Sequence, residues 1–516
     1  MAARITAYLV ALIVGVTFIA GLIVGAQRQD GPVDLIVVNG SVYTADGEGT
    51  MAEAVAVQGN KILMVGSNRE VQRLRRLQTV VVDAKGGAVL PGFNDAHAQF
   101  VSEGLRLQQV SLGDVKTLSG VESAIKAWAA AHPERDWVIG RGWHDQVFRD
   151  GLPTRQRLDA LVPNRPAFLL SDDGEAAWAN TAALKLAEIT RRTPNPPQGV
   201  IVRDARTGEP TGVLRGAAMS LVSDLVPAPT RKEREAALRA AIEHAHRRGV
   251  TSVVHAGASA DDLELYHQLR RANDLEVRVY AALAGRIDLT AAELDTLDLL
   301  RAKFGDDPVF KAGGITLVAD SDVQPQALAE MVAELDERGW QVIIEAIGDE
   351  AVRVALDAIE FAMGKNGQNG TAERSRRHRI EHGEPADVVD AVRFETLGVV
   401  TAMQPQVGDA DALQDPVLGV YAGVNRTLPD GVDAGGWVPA ARMTLSEAVD
   451  AYTRDPAWAS FDEHRKGTLA RDMLADLVIL TRDIFSLAPS RLAEADVAVT
   501  IFDGKVVYSR SAGSND

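Results

Sequence analysis

Short apolar runs separated by turn dipeptides mark the first folded segment of this chain, from residue 34 to about residue 87. These runs are rich in β-branched residues, and they are separated by Asn-Gly, Asp-Gly and Gly-Asn turns. The pattern predicts an antiparallel β domain. The C-terminal part has the same pattern of short apolar runs separated by turns, with a turn at Asp503-Gly504. The predicted strands are 35–38, 54–57, 61–65, 79–82, 474–480, 497–502 and 505–508.

Between these ends, helical and strand patterns alternate. Residues 231–248 carry apolar positions at helical spacing, Gly249 follows them, and 250–254 starts a strand. Repetition of this unit predicts a (β/α) barrel with its functional residues at the carboxyl ends of the strands. Seven barrel strands are expected, at 88–93, 250–254, 277–283, 314–319, 341–346, 378–380 and 398–403.

Residues from about 101 to 230 do not follow the barrel repeat. They contain their own strand-like pieces at 137–140 and 167–170. We expect this segment to be an insertion that covers the mouth of the barrel.

The first 26 residues form a separate segment. Residues 5–26 are an unbroken apolar run preceded by Arg4, and about 20 such residues can span a bilayer. Two interpretations stay open: an uncleaved signal anchor, or a secretory signal cleaved near Ala26. Either one places the folded part outside the cytoplasm, in the periplasm or the extracellular space, after a short linker at 27–33.

The composition excludes several classes of function and constrains the fold less. The 516 residues carry a formal net charge of −17 and no extended basic run, which argues against a nucleic-acid partner. There is no cysteine, so disulfides, thiolate metal sites and cysteine nucleophiles are excluded. The apolar fraction of 46% is ordinary for a globular protein with a substantial core.

The most informative chemistry lies in the segment from Asn94 to Phe100. A strand that ends in His-x-His aims both imidazoles to one side and can bind a divalent ion. Here His97 is followed two positions later by Gln99. A neutral carboxamide is a poor substitute for imidazole, so the segment resembles a metal-binding strand end with one ligand missing.

Seven motifs together resemble amidohydrolase family 3, the branch of the metal-dependent hydrolases that includes N-substituted formamide deformylases. The resemblance runs from Asp34 to about Tyr508. It implies a TIM-like (β/α) barrel at 88–465 and a small split β-sandwich formed by 34–87 and 466–510. The motifs are Asp34-Leu35-Ile36-Val37-Val38-Asn39-Gly40, Leu90-Pro91-Gly92-Phe93, Gly140-Arg141-Gly142-Trp143, Ile347-Gly348-Asp349, Arg379-Ile380-Glu381-His382, Met403-Gln404-Pro405 and Ala475-Asp476-Leu477-Val478-Ile479-Leu480.

By resemblance, the family's metal site uses His-x-His on the first strand, often a carboxylated lysine on the fourth, one histidine on each of the fifth and sixth, and an aspartate on the eighth. This chain keeps His97 and His382. It has Gln99, Thr316 and Glu345 at three of the other positions. The resemblance therefore implies a degenerate metal site.

The eighth strand departs furthest from the family pattern. Residues 403–406 run within ten residues into Asp415, whereas the family places a helix, a strand and the catalytic aspartate between these landmarks. We therefore expect the strand and its aspartate to be deleted, with Asp409 or Asp411 as possible replacements. The open barrel edge would then be covered by a loop, a protein partner or a second copy of the chain.

Two further positions differ from the family pattern. Glu175 stands where the insertion usually carries a histidine, and His255 stands where the second strand more commonly has an acidic residue. Both positions keep a polar side chain, but neither carries the residue type that the family pattern expects there.

Three functions follow as hypotheses. The first is a catalytically impaired pseudoenzyme that acts as a membrane-associated binding or scaffolding module. The second is a hydrolase of amide-type carbon–nitrogen bonds with one divalent ion, zinc being the expected metal, held by His97, His382 and Glu345. The third is a metal-free binder of a small molecule. Candidate bases for the hydrolase are Asp320, Glu175 and Asp409; candidate pocket residues are Gln99, His255 and Thr316.

Overall fold

The computed structural model describes residues 32–510, apart from 149–150, 321–322, 368–374, 383–387, 404–414, 428 and 430–441. The apolar run at 5–26 lies outside the described residues, so its interpretation as an anchor or signal is not tested. Within the described part, no helix is long and apolar enough to cross a membrane.

A parallel sheet of seven described strands forms a nearly closed barrel. Each strand pairs with the next along the chain, in the order β7-β6-β5-β4-β3-β2-β1. The predicted (β/α) barrel is confirmed at this level. The strands are β1 (Phe93–Ala98), β2 (Val250–Ala258), β3 (Arg278–Ala284), β4 (Phe310–Ala319), β5 (Gln341–Ala346), β6 (Arg379–Glu381) and β7 (Val400–Ala402).

Helices cover the outside of the barrel, and local sequence explains where several begin. At Thr230, for example, the hydroxyl accepts the Glu233 N–H while the Glu233 carboxylate accepts the Thr230 N–H, a capping box. Ser259 and Thr290 start the next two helices in the same way. Among the described residues, helices of this layer include Arg231–Arg247, Ala260–Ala272, Ala291–Lys303, Pro325–Glu337, Asp349–Asn366 and Val388–Leu397.

Two sheets drawn from both ends of the chain form a sandwich with a shared apolar core. In the larger sheet, Ile479 pairs with Val89. The strand order in the smaller sheet is Lys61–Gly66, Ala54–Gln58, Leu35–Val38, Val80–Asp83. The strand order in the larger sheet is Lys505–Ser509, Val497–Phe502, Leu477–Leu480, Ala88–Pro91, Ser41–Tyr43, Met51–Ala52.

The expectation of a purely antiparallel β domain is wrong. Leu35–Val38 pairs in parallel with Val80–Asp83, and Ser41–Tyr43 pairs in parallel with Ala88–Pro91. The segment before Val80 contains a hairpin and the helix Asn68–Gln72, which return the chain to the end of the sheet where it started. A long connection of this kind permits parallel pairing, whereas a tight turn does not.

The strand predicted at 88–93 is in fact two strands in different sheets. Ala88–Pro91 pairs within the sandwich, whereas β1 starts at Phe93 and belongs to the barrel. Gly92 lies between them, and a Cβ at this position would lie 2.2 Å from Thr251 Oγ1. Only glycine fits such a close approach. His97 therefore lies within β1 rather than beyond the end of the predicted strand.

The insertion begins later than residue 101. Helix Phe100–Leu107 packs against the barrel helix Arg231–Arg247 so closely that a Cβ at Gly104 would lie 1.9 Å from the Ala237 carbonyl oxygen. This helix is therefore part of the outer barrel layer. The six-stranded sheet of the insertion has the order Gly199–Arg203, Pro210–Gly216, Ala176–Ala179, Ala167–Ser171, Val138–Trp143, Val110–Ser111, with helices Leu118–Ala131, Arg155–Leu161 and Thr181–Leu186.

The insertion contacts the barrel on the side of the carboxyl ends of the strands. Arg135 of the insertion forms an ion pair with Glu233 and donates a 3.0 Å hydrogen bond to Gln108. Glu233 lies in the first turn of the helix that precedes β2, and the first turns of barrel helices face this side.

The two edge strands of the described barrel are β1 and β7. The Asn94 N–H on β1 donates to the Tyr452 carbonyl at 2.7 Å, and Arg379 donates from Nη2 to the Ala96 carbonyl at 2.6 Å. The Tyr452 carbonyl and the Arg379 guanidinium therefore occupy part of the hydrogen-bonding edge of β1. The proposed deletion falls on 404–414, outside the described residues, so the loss of an eighth strand stays a prediction.

Candidate functional site

A buried group of three charged side chains lies between the edge strands of the barrel. His97 Nδ1 is 3.3 Å from Glu381 Oε2, and Arg379 Nη2 is 2.7 Å from Glu381 Oε1. The side chains of Arg379 and Glu381 are each 1% exposed, and that of His97 is 5% exposed. Glu381 is therefore shared between an imidazole and a guanidinium away from solvent.

The pKa values follow from this arrangement. Burial by itself lowers the pKa of His97, but the contact with Glu381 and the charges of Glu345 and Asp95 outweigh it and raise that pKa. Burial likewise opposes ionisation of Glu381, yet Arg379 and His97 together hold its pKa below the ordinary value. Burial raises the pKa of Asp95 to about 6. The contact between His97 and Glu381 thus shifts the two pKa values in opposite directions.

His382 lies next to His97 at the end of β6. Its backbone is left-handed, with φ of 55°, and its ring centroid is 5.0 Å from that of His97. Two imidazoles on one tetrahedral zinc ion have ring centres about 5 Å apart, given zinc–nitrogen distances of about 2.0 Å. His97 Nε2 is buried and has no hydrogen-bond partner among the described residues. The two imidazoles of His97 and His382 are therefore suitably spaced to bind one metal ion between them.

The remaining donors in the described part of the chain do not complete a metal site. Glu345 is the next-to-last residue of β5, and it lies close enough for its charge to act on His97. No group of three or more histidine, aspartate or glutamate side chains in the described part is arranged to hold a metal. Gln99 is the residue before helix Phe100–Leu107, and Thr316 Oγ1 accepts the Gly257 N–H at 3.1 Å. The described donor set therefore does not fit the family's metal centre.

Of the three candidate bases, the two in the described part of the chain, Glu175 and Asp320, are not brought to this group. Glu175 is exposed in the turn between two strands of the insertion, where its N–H donates to Asp173. Asp320 is exposed just after β4. Neither lines the cavity described below. Asp409 and Asp411 lie outside the described residues.

His255 was expected in the pocket, but it faces the outer helix layer. Its Nδ1 and the hydroxyl of Tyr266, which is on helix Ala260–Ala272, share a 2.8 Å hydrogen bond. The preceding residue, Val254, packs inside the barrel with Ile343. Neighbouring residues of a strand point to opposite faces, so His255 points outward.

We expect His255 to make stability depend on pH. Burial lowers its pKa to about 4, whereas the unfolded chain takes up this proton near pH 6.5. The stabilisation is complete above about pH 6.5 and is lost as the pH falls towards 4, by up to about 3 kcal/mol. His255→Asn should show a smaller loss of unfolding free energy over this range in urea titrations. An unchanged slope against pH would contradict this.

A cavity of about 630 Å³ opens beside the charged group, between β1 and β7. Its volume is typical of a small-molecule site. Asp95, His97, Arg379, Glu381 and His382 form its polar end. Most of the remaining wall is apolar and includes Phe394, Val399, Met403, Met443, Tyr452 and Trp458.

Sequence reasoning did not assign Arg379 and Glu381 to the site, although it used their motif as a family landmark. The available signal was their spacing, because residues two apart on a strand share a face with each other. Glu381 therefore had to point the same way as Arg379 if either one faced the barrel interior.

A family model described as amidohydrolase family matches residues 80–429 and 411–508. Relatives include "Protein LONG AFTER FAR-RED 3" of Arabidopsis thaliana, 29% identical over 92% of this chain and 91% of that protein. "Putative amidohydrolase YtcJ" of Bacillus subtilis is 28% identical over 92% and 99%, respectively. "N-substituted formamide deformylase" of Arthrobacter pascens is 27% identical over 93% and 99%.

Solved structures support the fold. An uncharacterized metal-dependent hydrolase from Pyrococcus furiosus superposes with a TM-score of 0.67 and 23% identity, over 87% of this chain and 99% of that one. Atrazine chlorohydrolase TrzN from Arthrobacter aurescens, complexed with zinc, gives a TM-score of 0.51 and 13% identity, over 92% and 95%. At these identities the likeness concerns the fold alone.

Proposed function

This chain belongs to the amidohydrolase family, and we propose that it uses the family's barrel and pocket to bind a small molecule without the family's full metal-dependent chemistry. One observation carries the proposal. The described strand ends supply two imidazoles at 5.0 Å but no third metal-binding side chain arranged with them.

The positions of the candidate bases support the same conclusion. Metal-dependent hydrolysis needs an ion to activate water and a positioned base to move its proton. Neither Glu175 nor Asp320 lines the cavity, so neither can serve as that base there.

A second candidate function is hydrolysis of an amide-type carbon–nitrogen bond with one metal ion on His97, His382 and Glu345. Two features favour this alternative: the spacing of the two imidazoles, and the Nε2 of His97, which has no hydrogen-bond partner among the described residues. The relatives include a putative amidohydrolase and an N-substituted formamide deformylase, and one solved structure of the same fold is described as a metal-dependent hydrolase.

Elemental metal content separates the two functions. For the binding function we expect the full chain, purified without chelator, to hold well below one equivalent of zinc, manganese or iron. The variant His97→Ala/His382→Ala should be the same. One equivalent in the unaltered chain and in the exposed-histidine control His464→Ala, but not in the double variant, would establish the metal site and contradict the binding function.

We also propose that residues 1–26 attach the folded domain to a membrane on its non-cytoplasmic side. The length of the apolar run supports this. The full chain should stay in the membrane fraction after alkaline carbonate washing and be released by detergent. Recovery in the soluble fraction, with mass spectrometry finding residues 1–26 removed, would instead support a cleaved signal.

A further inference from the structure

We infer that an exposed surface within residues 69–81, which combines arginine and apolar side chains, docks on an anionic lipid bilayer. This surface, the arginine patch, consists of the four arginines of residues 69–76 together with Leu77, Val80 and Val81. The inference rests on the proposed membrane attachment of residues 1–26 and adds a second contact with the same membrane.

The arginine patch carries a local excess of positive charge on an acidic protein. Arg69, Arg73, Arg75 and Arg76 are all exposed, and none of them forms an ion pair with a carboxylate in the part of the chain that the structure describes. Glu70 is the one acidic residue within 69–82, and it offsets a single one of these charges. The whole chain has a net charge of −17, so this surface differs in sign from the protein as a whole and attracts an anionic partner.

Exposed apolar side chains lie directly beside the arginines. Leu77 is fully exposed, Val80 is 53% exposed and Val81 is 39% exposed. A single exposed apolar residue is ordinary, but three of them next to four arginines form a mixed surface. Such a surface suits a bilayer, because apolar side chains enter the interface while guanidinium groups bind headgroup phosphates.

The arginine patch is fixed to the point where the chain leaves the folded domain towards the apolar run. The Thr79 hydroxyl donates to the Val33 carbonyl at 2.7 Å, and the Val80 N–H donates to the Asp34 carbonyl at 2.8 Å. The apolar run ends at Ala26, and the seven residues from there to Val33 span at most about 25 Å. A bilayer that holds the run is therefore close to the arginine patch, where each arginine near anionic lipid strengthens binding about fivefold.

A second copy of the chain fits this surface less well. Strand Val80–Asp83 is an edge strand of the smaller sheet, and among the described strands it pairs with Leu35–Val38 alone. Another copy could add its own strand at this edge. A two-fold contact of that kind brings the same residues of both copies together, so the two sets of four arginines would repel each other.

The test uses the full chain with one fluorophore in the arginine patch. The chain has no cysteine, so Leu77→Cys gives a single labelling site for nitrobenzoxadiazole. The labelled protein is reconstituted into phosphatidylcholine vesicles with or without phosphatidylglycerol. We expect phosphatidylglycerol to make the emission bluer and at least about twofold stronger, and high salt to reverse the change. The same label at Leu299→Cys, which is 72% exposed on helix Ala291–Lys303, should not respond.

Charge variants of the Leu77→Cys chain show whether the arginines cause the response. Arg69→Gln/Arg73→Gln/Arg75→Gln/Arg76→Gln should abolish it, and unfolding in urea should confirm that this variant is folded. A matched control removes the same charge at four exposed arginines elsewhere and should keep the response. The control is Arg191→Gln/Arg192→Gln/Arg206→Gln/Arg271→Gln.

Each other result overturns a specific step. Equal emission with and without phosphatidylglycerol, or a response lost equally in both charge variants, would overturn the arginine patch as an anionic-lipid site. Emission that rises with protein concentration instead of phosphatidylglycerol would assign the surface to a second copy. Release by carbonate washing, with residues 1–26 removed, would contradict the membrane attachment alone. The released protein would then be labelled and mixed with vesicles, where a response supports the arginine patch and its absence overturns it.

Discussion

Replacing Arg379 with methionine should lower the free energy of unfolding by about 3–5 kcal/mol, the cost of breaking a buried ion pair by removing one partner. Arg379 and Glu381 are each 1% exposed and lie 2.7 Å apart. Without the guanidinium, Glu381 would stay buried without its closest ion-pair partner. The Ala96 carbonyl would lose its 2.6 Å hydrogen bond as well. Urea unfolding followed by tryptophan fluorescence measures the change.

A double-mutant cycle tests whether the ion pair is the cause. Glu381→Leu alone should also destabilise the protein, because it leaves Arg379 buried without its carboxylate. Arg379→Met/Glu381→Leu should cost clearly less than the sum of the two single variants, since both charges are then gone. Additive effects, or a cost below about 1 kcal/mol for Arg379→Met, would contradict a coupled buried pair.

Asp476→Ala should destabilise the protein by a similar amount, about 3–5 kcal/mol. Asp476 precedes a sandwich strand and binds Arg278 at the start of β3 through two contacts, Oδ2 to Nε at 2.5 Å and Oδ1 to Nη2 at 2.8 Å. The two side chains are 5% and 3% exposed. The guanidinium also lies 4.9 Å from the ring of Phe502. The pair therefore joins the barrel to the sandwich at a buried point.

An exposed pair of the same type is the control. Arg465 contacts Asp306 through two hydrogen bonds, but Asp306 is 73% exposed. Asp306→Ala should cost less than about 1 kcal/mol, because solvent screens the charges. Equal costs for Asp306→Ala and Asp476→Ala, measured by denaturant unfolding, would show that burial does not set the strength of these pairs.

The barrel was predictable because its strands and helices have different periods in the sequence. The prediction at 341–346 coincides with β5, and those at 277–283 and 378–380 lie within one residue of β3 and β6. The exception was residues 88–93, for which the apolar pattern predicted a single strand. Both halves are buried, so hydrophobicity alone could not reveal that the chain changes sheets at Gly92.

The candidate site was predictable only in part. His97 and His382 were identified, and the structure brings them together at 5.0 Å. His255 was placed in the pocket because it ends a strand, but a one-residue difference in strand register decides which face a side chain takes. Tyr266 on the outer helix layer then provides its hydrogen bond.

The sequence by itself determined the barrel class and the kinds of donor at the strand ends, because periodicity sets the elements and residue type sets the chemistry. Gln99, Thr316 and Glu345 cannot become the imidazoles or the lysine that the family pattern expects. Only the tertiary structure decided that Glu381 lies between Arg379 and His97. His97 is 284 residues before Glu381 in the chain, and their contact exists because barrel closure brings β1 near β6. Charges so far apart in sequence acquire their pKa values and partners from burial and distance, which local patterns do not encode.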